Sequence, residues 1–501
     1  MRLTTTSKIL LVVLVLGGGF YWWWTSGRVK TDGSLLGRPL RVGVVTWPGY
    51  AGGIVANNGF KPNKQCIFWK DHNQTVEFLL MEDVDVRNKA FAKGGPQGVD
   101  IVWSTVDFWA NELPGFLKDG IKAKAVMQVD WSQGGDALVA DASIQRIEDL
   151  PGKKISLALF TPSHWLLEYS LENSSLNPNQ QTEIVKGLVG KNASPDARAD
   201  FVSGRVDAAV VWEPDVTEAL QKRQGSHIVV SSRNAANLIA DLMVAREDFI
   251  SQHPDVIKAF VAGWLDGTVE ANRNPDLVVK LLMENESLYK DLGPEATRKG
   301  LPTVKWADLN ENNQMFGLDG GSSLFSNIFS QAGEAWRNRG YIQQVVDASQ
   351  AKDDSFLREI YKANPVPRPS RERPVTPLTQ AECEREGIMD KPIQVQFAMN
   401  SSVLDATARR ILNGITTPQT FTNASYFCIA GNTDNVGNPQ SNVKLSERRA
   451  QSVVDYLAER YNRNPTFFTH FGYGDSHPVA PNDTTEGKAK NRRTDIKVVT
   501  R

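Results

Sequence analysis

Toward the C-terminal end of the 501-residue chain, an acid and a guanidinium stand on two elements that can bring them to one ligand. Asp434 lies in the turn-forming cluster Gly431-Asn432-Thr433-Asp434-Asn435-Val436-Gly437, directly after an apolar run at 426–430 that reads as a strand. Arg449 lies in 444–461, where Leu445, Val453, Val454 and Leu457 recur at helical spacing. A strand-end loop facing a helix lets a carboxylate and a forked guanidinium grip a molecule that carries an ammonium and a carboxylate on one carbon. The plain alternative is that Asp434 caps a turn and Arg449 makes a surface ion pair.

A second group of side chains sits where strands end in the middle of the chain. Short apolar runs at 41–46, 101–104, 154–158, 208–212 and 242–245 alternate with helical patterns such as 195–203 and 254–272, which predicts parallel α/β sheets. About 320 residues exceed a comfortable single core, so two lobes are expected, the second over about 131–230. In open α/β sheets ligands collect beyond the carboxyl ends of the strands. Trp47, Tyr50, Ser104, Thr105, Trp131, Ser132, Trp212 and Glu213 occupy such ends, and Thr161 and Ser163 open a helix whose free N–H groups favour an anion. The hydroxyls suit a small organic anion. The tryptophans and Tyr50, with Glu213, Asp107 and Asp136 nearby, suit a quaternary-ammonium-like cation instead. The plain alternatives are core packing for the tryptophans, a helix cap for Ser163 and a packed surface role for His164.

The C-terminal motifs resemble those of OmpA-like peptidoglycan-binding domains. Phe397-Ala398-Met399-Asn400, the Gly431 cluster, Leu445-Ser446-Glu447-Arg448-Arg449-Ala450, Asn482-Asp483-Thr484-Thr485-Glu486-Gly487 and Asn491-Arg492-Arg493 follow in the family's order across 391–501. The resemblance implies a smaller α/β domain that binds the diaminopimelate of cell wall. Asp434 would take the ammonium and Arg449 the carboxylate, with Asn400, Asn442 and Arg492 lining the site. The central region, 36–360, is similar to substrate-binding proteins of ABC importers, in the nitrate, sulfonate and taurine branch. That resemblance rests on Arg41 to Tyr50, Gly98-Val99-Asp100-Ile101-Val102, Ile147 to Lys154, Val206 to Pro214 and 249–260. It implies the two-lobed periplasmic-binding-protein fold, with ligand held between lobes and an ABC permease or another envelope protein as partner.

The whole chain narrows these readings. Lys plus Arg total 56 against 57 for Asp plus Glu, a net charge of −1, so nucleic acid is not an expected partner. The apolar run at 9–24, preceded by Arg2 and Lys8 and ending in three tryptophans, reads as an uncleaved inner-membrane helix within 1–30, with a cleaved signal as the alternative. The bulk of the chain is then expected in the periplasm. The proline-rich stretch 361–390 reads as a semi-rigid tether. Cys66, Cys383 and Cys428 form no metal-ligand spacing with the scattered histidines, and neither metal nor cofactor is expected. Spacing alone does not decide whether Cys383 and Cys428 are bridged. The sequence has no nucleophile elbow and no metalloprotease histidine pair, so a binding protein is preferred over an enzyme, with a scaffold that has lost its ligand as the other reading.

Overall fold

Apolar runs become strands where both faces can be buried. Ala208, Val210 and Trp212 of one run pack into the main core, while Ala209 and Val211 between them pack into a second cluster with Val139 and Phe201 on the opposite face. This period of two is the pleat of a sheet covered on both sides. The computed structural model describes residues 32–172, 174, 176–234, 238–321, 323–365, 377–384, 393–413, 425–460 and 465–500.

The first sheet contains β1 Leu40–Val44, β2 Val76–Leu80, β3 Ile101–Thr105, β4 Ala123–Ser132, β10 Ala240–Arg246 and β11 Val304–Trp306, in the order β11-β4-β10-β3-β1-β2. The second contains β5 Asp136–Ala140, β6 Ile155–Ala158, β7 Leu188–Lys191, β8 Ala208–Trp212 and β9 His227–Ser231, in the order β7-β6-β8-β5-β9. The chain passes between these sheets twice, from β4 to β5 and from β9 to β10. Neither sheet is purely parallel, which corrects the expectation from alternation. Strand β10 runs antiparallel to β3 and β4, and β5 runs antiparallel to β8 and β9. A parallel neighbour needs a helical crossover, and the strands that carry the chain directly from one sheet to the other have none.

Helices begin where the local chemistry demands. Thr105 caps Val106–Lys118 by accepting from the Phe108 N–H at 3.3 Å, and prolines open Pro162–Glu172 and Pro254–Arg273 at positions whose N–H needs no partner.

The third sheet contains β12 Ile393–Gln396, β13 Ser425–Gly431, β14 Phe468–Gly472 and β15 Arg493–Thr500, in the order β12-β15-β13-β14. Phe427 and Ile429 of β13 face a core shared with Val453, Val454 and Leu457 of the helix Pro439–Arg460. Cys428 between them points to the other face, where it is bridged to Cys383 beside Leu378. The short helix Gln380–Glu384, inside the stretch expected to be tether, is therefore docked on this sheet. The membrane helix expected within 1–30 lies outside the described residues. Among the described residues no helix is long and apolar enough to cross a membrane.

Candidate functional sites

Two glycines bring the C-terminal constellation together. A Cβ on Gly431 would lie 1.8 Å from the Ser446 carbonyl oxygen, and one on Gly472 would lie 2.5 Å from the Glu447 nitrogen. Only bare backbone lets the helix Pro439–Arg460 approach the ends of β13 and β14 this closely. Arg449, three residues beyond Ser446, is thereby pressed against the loops and is 0% exposed. It donates from Nε to the Ser401 carbonyl at 2.8 Å, from Nη1 to the Asn432 carbonyl at 2.8 Å and from Nη2 to the Ala398 carbonyl at 3.1 Å. Burial pushes its pKa down to about 10, against the opposing field of Asp434.

Asp434 is 5% exposed and accepts at Oδ2 from Arg492 Nη1 at 2.9 Å. Asn442 Nδ2 donates to the Asp434 backbone carbonyl at 3.3 Å. Asn400 stands exposed in the 398–401 loop with φ +50°, a left-handed conformation that asparagine tolerates. One acid, two guanidiniums and an amide thus converge from three segments, with the Asp434 ion pair formed by Arg492 rather than Arg449.

Between the first two sheets lies a small cavity, about 10 Å³, with room for about one water. Its walls are Trp47, Tyr50, Trp103 and Trp212, and its ionisable acids are Asp136 and Asp241. Trp47 donates from Nε1 to Asp130 at 2.8 Å and Tyr50 donates its hydroxyl to Asp241 at 2.8 Å. Asp130 and Asp241 are direct cross-strand partners of β4 and β10, both buried. Like charges opposite one another are unfavourable, and burial raises both pKa values, that of Asp130 to about 7 and that of Asp241 well above the ordinary range. Burial also raises Asp136 and Glu213 to about 7 and Asp107 to about 8.

Trp103 of β3 meets Trp212 of β8 edge to face at 6.1 Å, one ring from each sheet. The indole N–H groups of both are buried and have no hydrogen-bond partner among the described residues. Arg87 is committed to Glu112 and to the Trp103 carbonyl and lies over the Trp103 ring at 4.9 Å.

Residues 396–492 match the OmpA family, and residues 120–277 match the family described as NMT1/THI5 like. The chain carries an NMT1/THI5-like domain followed by an OmpA family domain. The taurine-binding periplasmic protein of Escherichia coli (strain K12) is 34% identical over 149 residues, 29% of this chain and 43% of that protein. Peptidoglycan-binding protein ArfA of Mycobacterium bovis is 46% identical over 70 residues, 14% of this chain and 21% of that protein. Both relatives are therefore matched over less than half of their length. Among solved structures, the periplasmic nitrate-binding protein NrtA from Synechocystis PCC 6803 superposes with a TM-score of 0.52 at 12% identity, covering 66% of this chain and 89% of that one. That likeness carries the periplasmic-binding-protein fold alone.

Within the NMT1/THI5-like region and its flanks, the structure places the sequence-derived residues unevenly. Trp47, Tyr50 and Trp212 line the cavity. Thr105 serves as a helix cap, Thr161 donates to the Ala158 carbonyl, and Ser132 bonds Ser232 where the chain crosses between sheets. Glu213 accepts from the Thr217 N–H and hydroxyl. Ser163 is not a cap: its hydroxyl is buried without a partner among the described residues. Trp103, Asp130 and Asp241 were not singled out by sequence. Trp103 lies inside the apolar run 101–104, Asp241 directly precedes the run 242–245 and Asp130 lies in a strand outside the runs read from sequence, and only the antiparallel register of β10 reveals that the two acids face each other.

In the OmpA family domain the missed contributors are the backbone carbonyls of Ala398, Ser401 and Asn432. The signal that points to them is glycine at the ends of β13 and β14.

Proposed function

We propose that this protein is a periplasmic solute-binding protein of the ABC-import type that is tethered to peptidoglycan and performs no catalysis of its own. The observation that carries this reading is one chain joining a cleft between two α/β sheets to a convergence of Asp434, Arg449, Arg492 and Asn442. In the wall-binding half, Asp434 takes the ammonium of diaminopimelate and Arg449 its carboxylate, with Asn400, Asn442 and Arg492 around them. The acid and the forked guanidinium match those groups in charge and geometry. The similarity to ArfA, a peptidoglycan-binding protein, supports peptidoglycan as the partner, and that to a taurine-binding periplasmic protein supports a small solute for the cleft.

The domain division follows the sequence reading, with an anchor within 1–30 in the inner membrane, a two-lobed domain over 36–360, a tether over 361–390 and the wall domain over 391–501, except that the docked helix Gln380–Glu384 belongs with the wall domain and shortens the tether. Mass analysis of the mature N-terminus tests the anchor, because a cleaved chain lacks the first 20 to 30 residues, roughly the length of a signal peptide.

Sedimentation of the full chain with purified sacculi tests the tether. Retention that is competed by free diaminopimelate is expected. Equal retention of the Asp434→Asn variant would refute the assignment of the site. Release of muropeptides from the same sacculi would overturn the non-enzymatic reading.

The small cavity of about 10 Å³ favours one second reading, a scaffold whose lobes no longer take a solute. A thermal-shift screen of small anions, betaines and amino-acid-like compounds that raises the melting temperature with none of them would select it.

A further inference from the structure

We propose that Asp130 and Asp241 share one proton and that this proton locks the hinge between the two sheets. The inference rests on the fold and on no particular solute, so it stands or falls apart from the solute-binding reading. Asp130 lies two residues before the end of β4, where the chain crosses to the second sheet, and Asp241 is the second residue of β10, where it has crossed back. The two are buried, direct cross-strand partners. Beside them the Ser132 N–H donates to the Ile239 carbonyl at 3.0 Å and the Ser132 hydroxyl bonds that of Ser232 at 2.7 Å, so the two crossings are fastened together at the pair. The ladder shifts register between Asp241 and Leu242, an irregularity of the kind that re-aims side chains beside functional groups.

Hydrogen bonding around the pair calls for that proton. Ionised carboxylates only accept. Asp130 Oδ2 accepts from Trp47 and Asp241 Oδ1 from Tyr50, but Asp130 Oδ1 is buried with no donor among the described residues. The two carboxyls lie within hydrogen-bonding reach of each other, so a proton held between them supplies the missing donor and replaces cross-strand repulsion with a bond. No cation takes its place. Asp136 of β5 and Tyr50 are the ionisable groups that act on the pair from neighbouring elements. On the flanking strands Asp130 meets Trp306 and Asp241 meets Thr105. Lys305, next to Trp306, is paired with Glu311, and Arg87, whose field reaches Tyr50, is engaged by Glu112. The Trp47 ring carries the state of the pair to the first crossing, since Asp130 holds its Nε1 and a Cβ on Gly135 would lie 2.3 Å from the ring. Opening the hinge places both acids in water, where each carboxyl titrates near its ordinary value and the shared proton passes to solvent. Burial raises both groups in the closed form. The lock is therefore fully present below about pH 4 and weakens as pH rises toward the closed-form values.

The test is hydrogen exchange of the full chain followed by mass spectrometry between about pH 5 and pH 8, corrected for the intrinsic pH dependence of amide exchange, with the strands of the third sheet as internal reference. In the parent, opening at 128–136 and 238–243 should increase with pH relative to that reference. Asp241→Asn keeps the shape and offers an N–H donor that does not titrate, so its pH slope at these segments should be smaller than the parent's by about tenfold per pH unit, the linkage of one proton. Asp130→Asn should behave alike, while Asp107→Asn, which removes a buried acid outside the pair, should keep the parent's slope at the two crossings. Equal slopes in the parent and both pair variants overturn the proposal. If neither pair variant folds, the parent decides: exchange at the crossings that does not rise with pH against the third sheet overturns the lock. None of these outcomes bears on whether the lobes take a solute.

Discussion

At the scale of single residues, Asp434 and Arg449 play unequal parts. Arg449 holds three backbone carbonyls from two loops, so Arg449→Ala removes structure along with any ligand contact. Each buried carbonyl left without its donor costs about 1–3 kcal/mol. We expect Arg449→Ala to lower the melting temperature of the C-terminal domain, read by differential scanning calorimetry of the full chain. Asp434→Asn keeps the side chain's shape and loses mainly its charge and the bond from Arg492. It should melt near the parent and yet fail to sediment with sacculi. Parent-like retention would place the ligand elsewhere.

The sequence made this pair legible because residue type and spacing are themselves the signal. It could not show that Arg492 would pair with Asp434, or that the 398–401 loop would cover Arg449, because both follow from how closely the helix sits on the sheet. In the cleft, Trp47, Tyr50 and Trp212 were legible from their places at strand ends. Trp103, Asp130 and Asp241 were not, because a side chain in a strand carries no mark of which neighbour the register will give it.

At the scale of elements, the Cys383–Cys428 bridge and the Trp47–Gly135 contact each make a measurable claim. The bridge ties Gln380–Glu384 to the outer face of β13 across a sequence separation of 45 residues. Chain-entropy reasoning assigns such a closure about 4 kcal/mol. The surrounding contacts are small: Thr469 donates to the Leu378 carbonyl at 2.8 Å and Lys497 to the Cys383 carbonyl at 3.1 Å. Cys383→Ser should therefore lower the denaturation midpoint of the C-terminal domain by a shift of that order and render Gln380–Glu384 sensitive to protease. An unchanged midpoint would mean that the helix and sheet hold together without the bridge.

Gly135 tests the cleft in the same way. Its Cβ would overlap the Trp47 ring, which cannot swing aside without surrendering the bond to Asp130. Gly135→Ala should destabilise the fold by about 1–3 kcal/mol, the usual range for overpacking, and shift the tryptophan emission to longer wavelength. Emission identical to the parent's would show that the ring is not packed there.

For the molecule as a whole, the buried acids link pH to stability with a definite sign. Asp107 is raised to about 8, and Asp130, Asp136, Glu213 and Asp215 to about 7, in each case first by burial. In an unfolded chain aspartate and glutamate titrate near 4. Between about pH 4 and the folded values the native state therefore binds more protons than the unfolded state, and its stability falls as pH rises. This contribution is fully present below about pH 4 and is lost through about pH 7–8. Asp141, Asp200, Asp248 and Asp354 act in the opposite sense, because hydrogen bonds and cationic partners hold them below the ordinary range. Their stabilisation disappears at acid pH, which places the optimum in the mildly acidic region.

Melting of the full chain at constant ionic strength should therefore fall by several degrees between about pH 6 and pH 8. Asp107→Asn should flatten part of that slope. A melting temperature that climbs steadily to pH 8 would mean that these carboxyls are ionised in the folded protein, and the cleft would then have to hold a permanent countercharge.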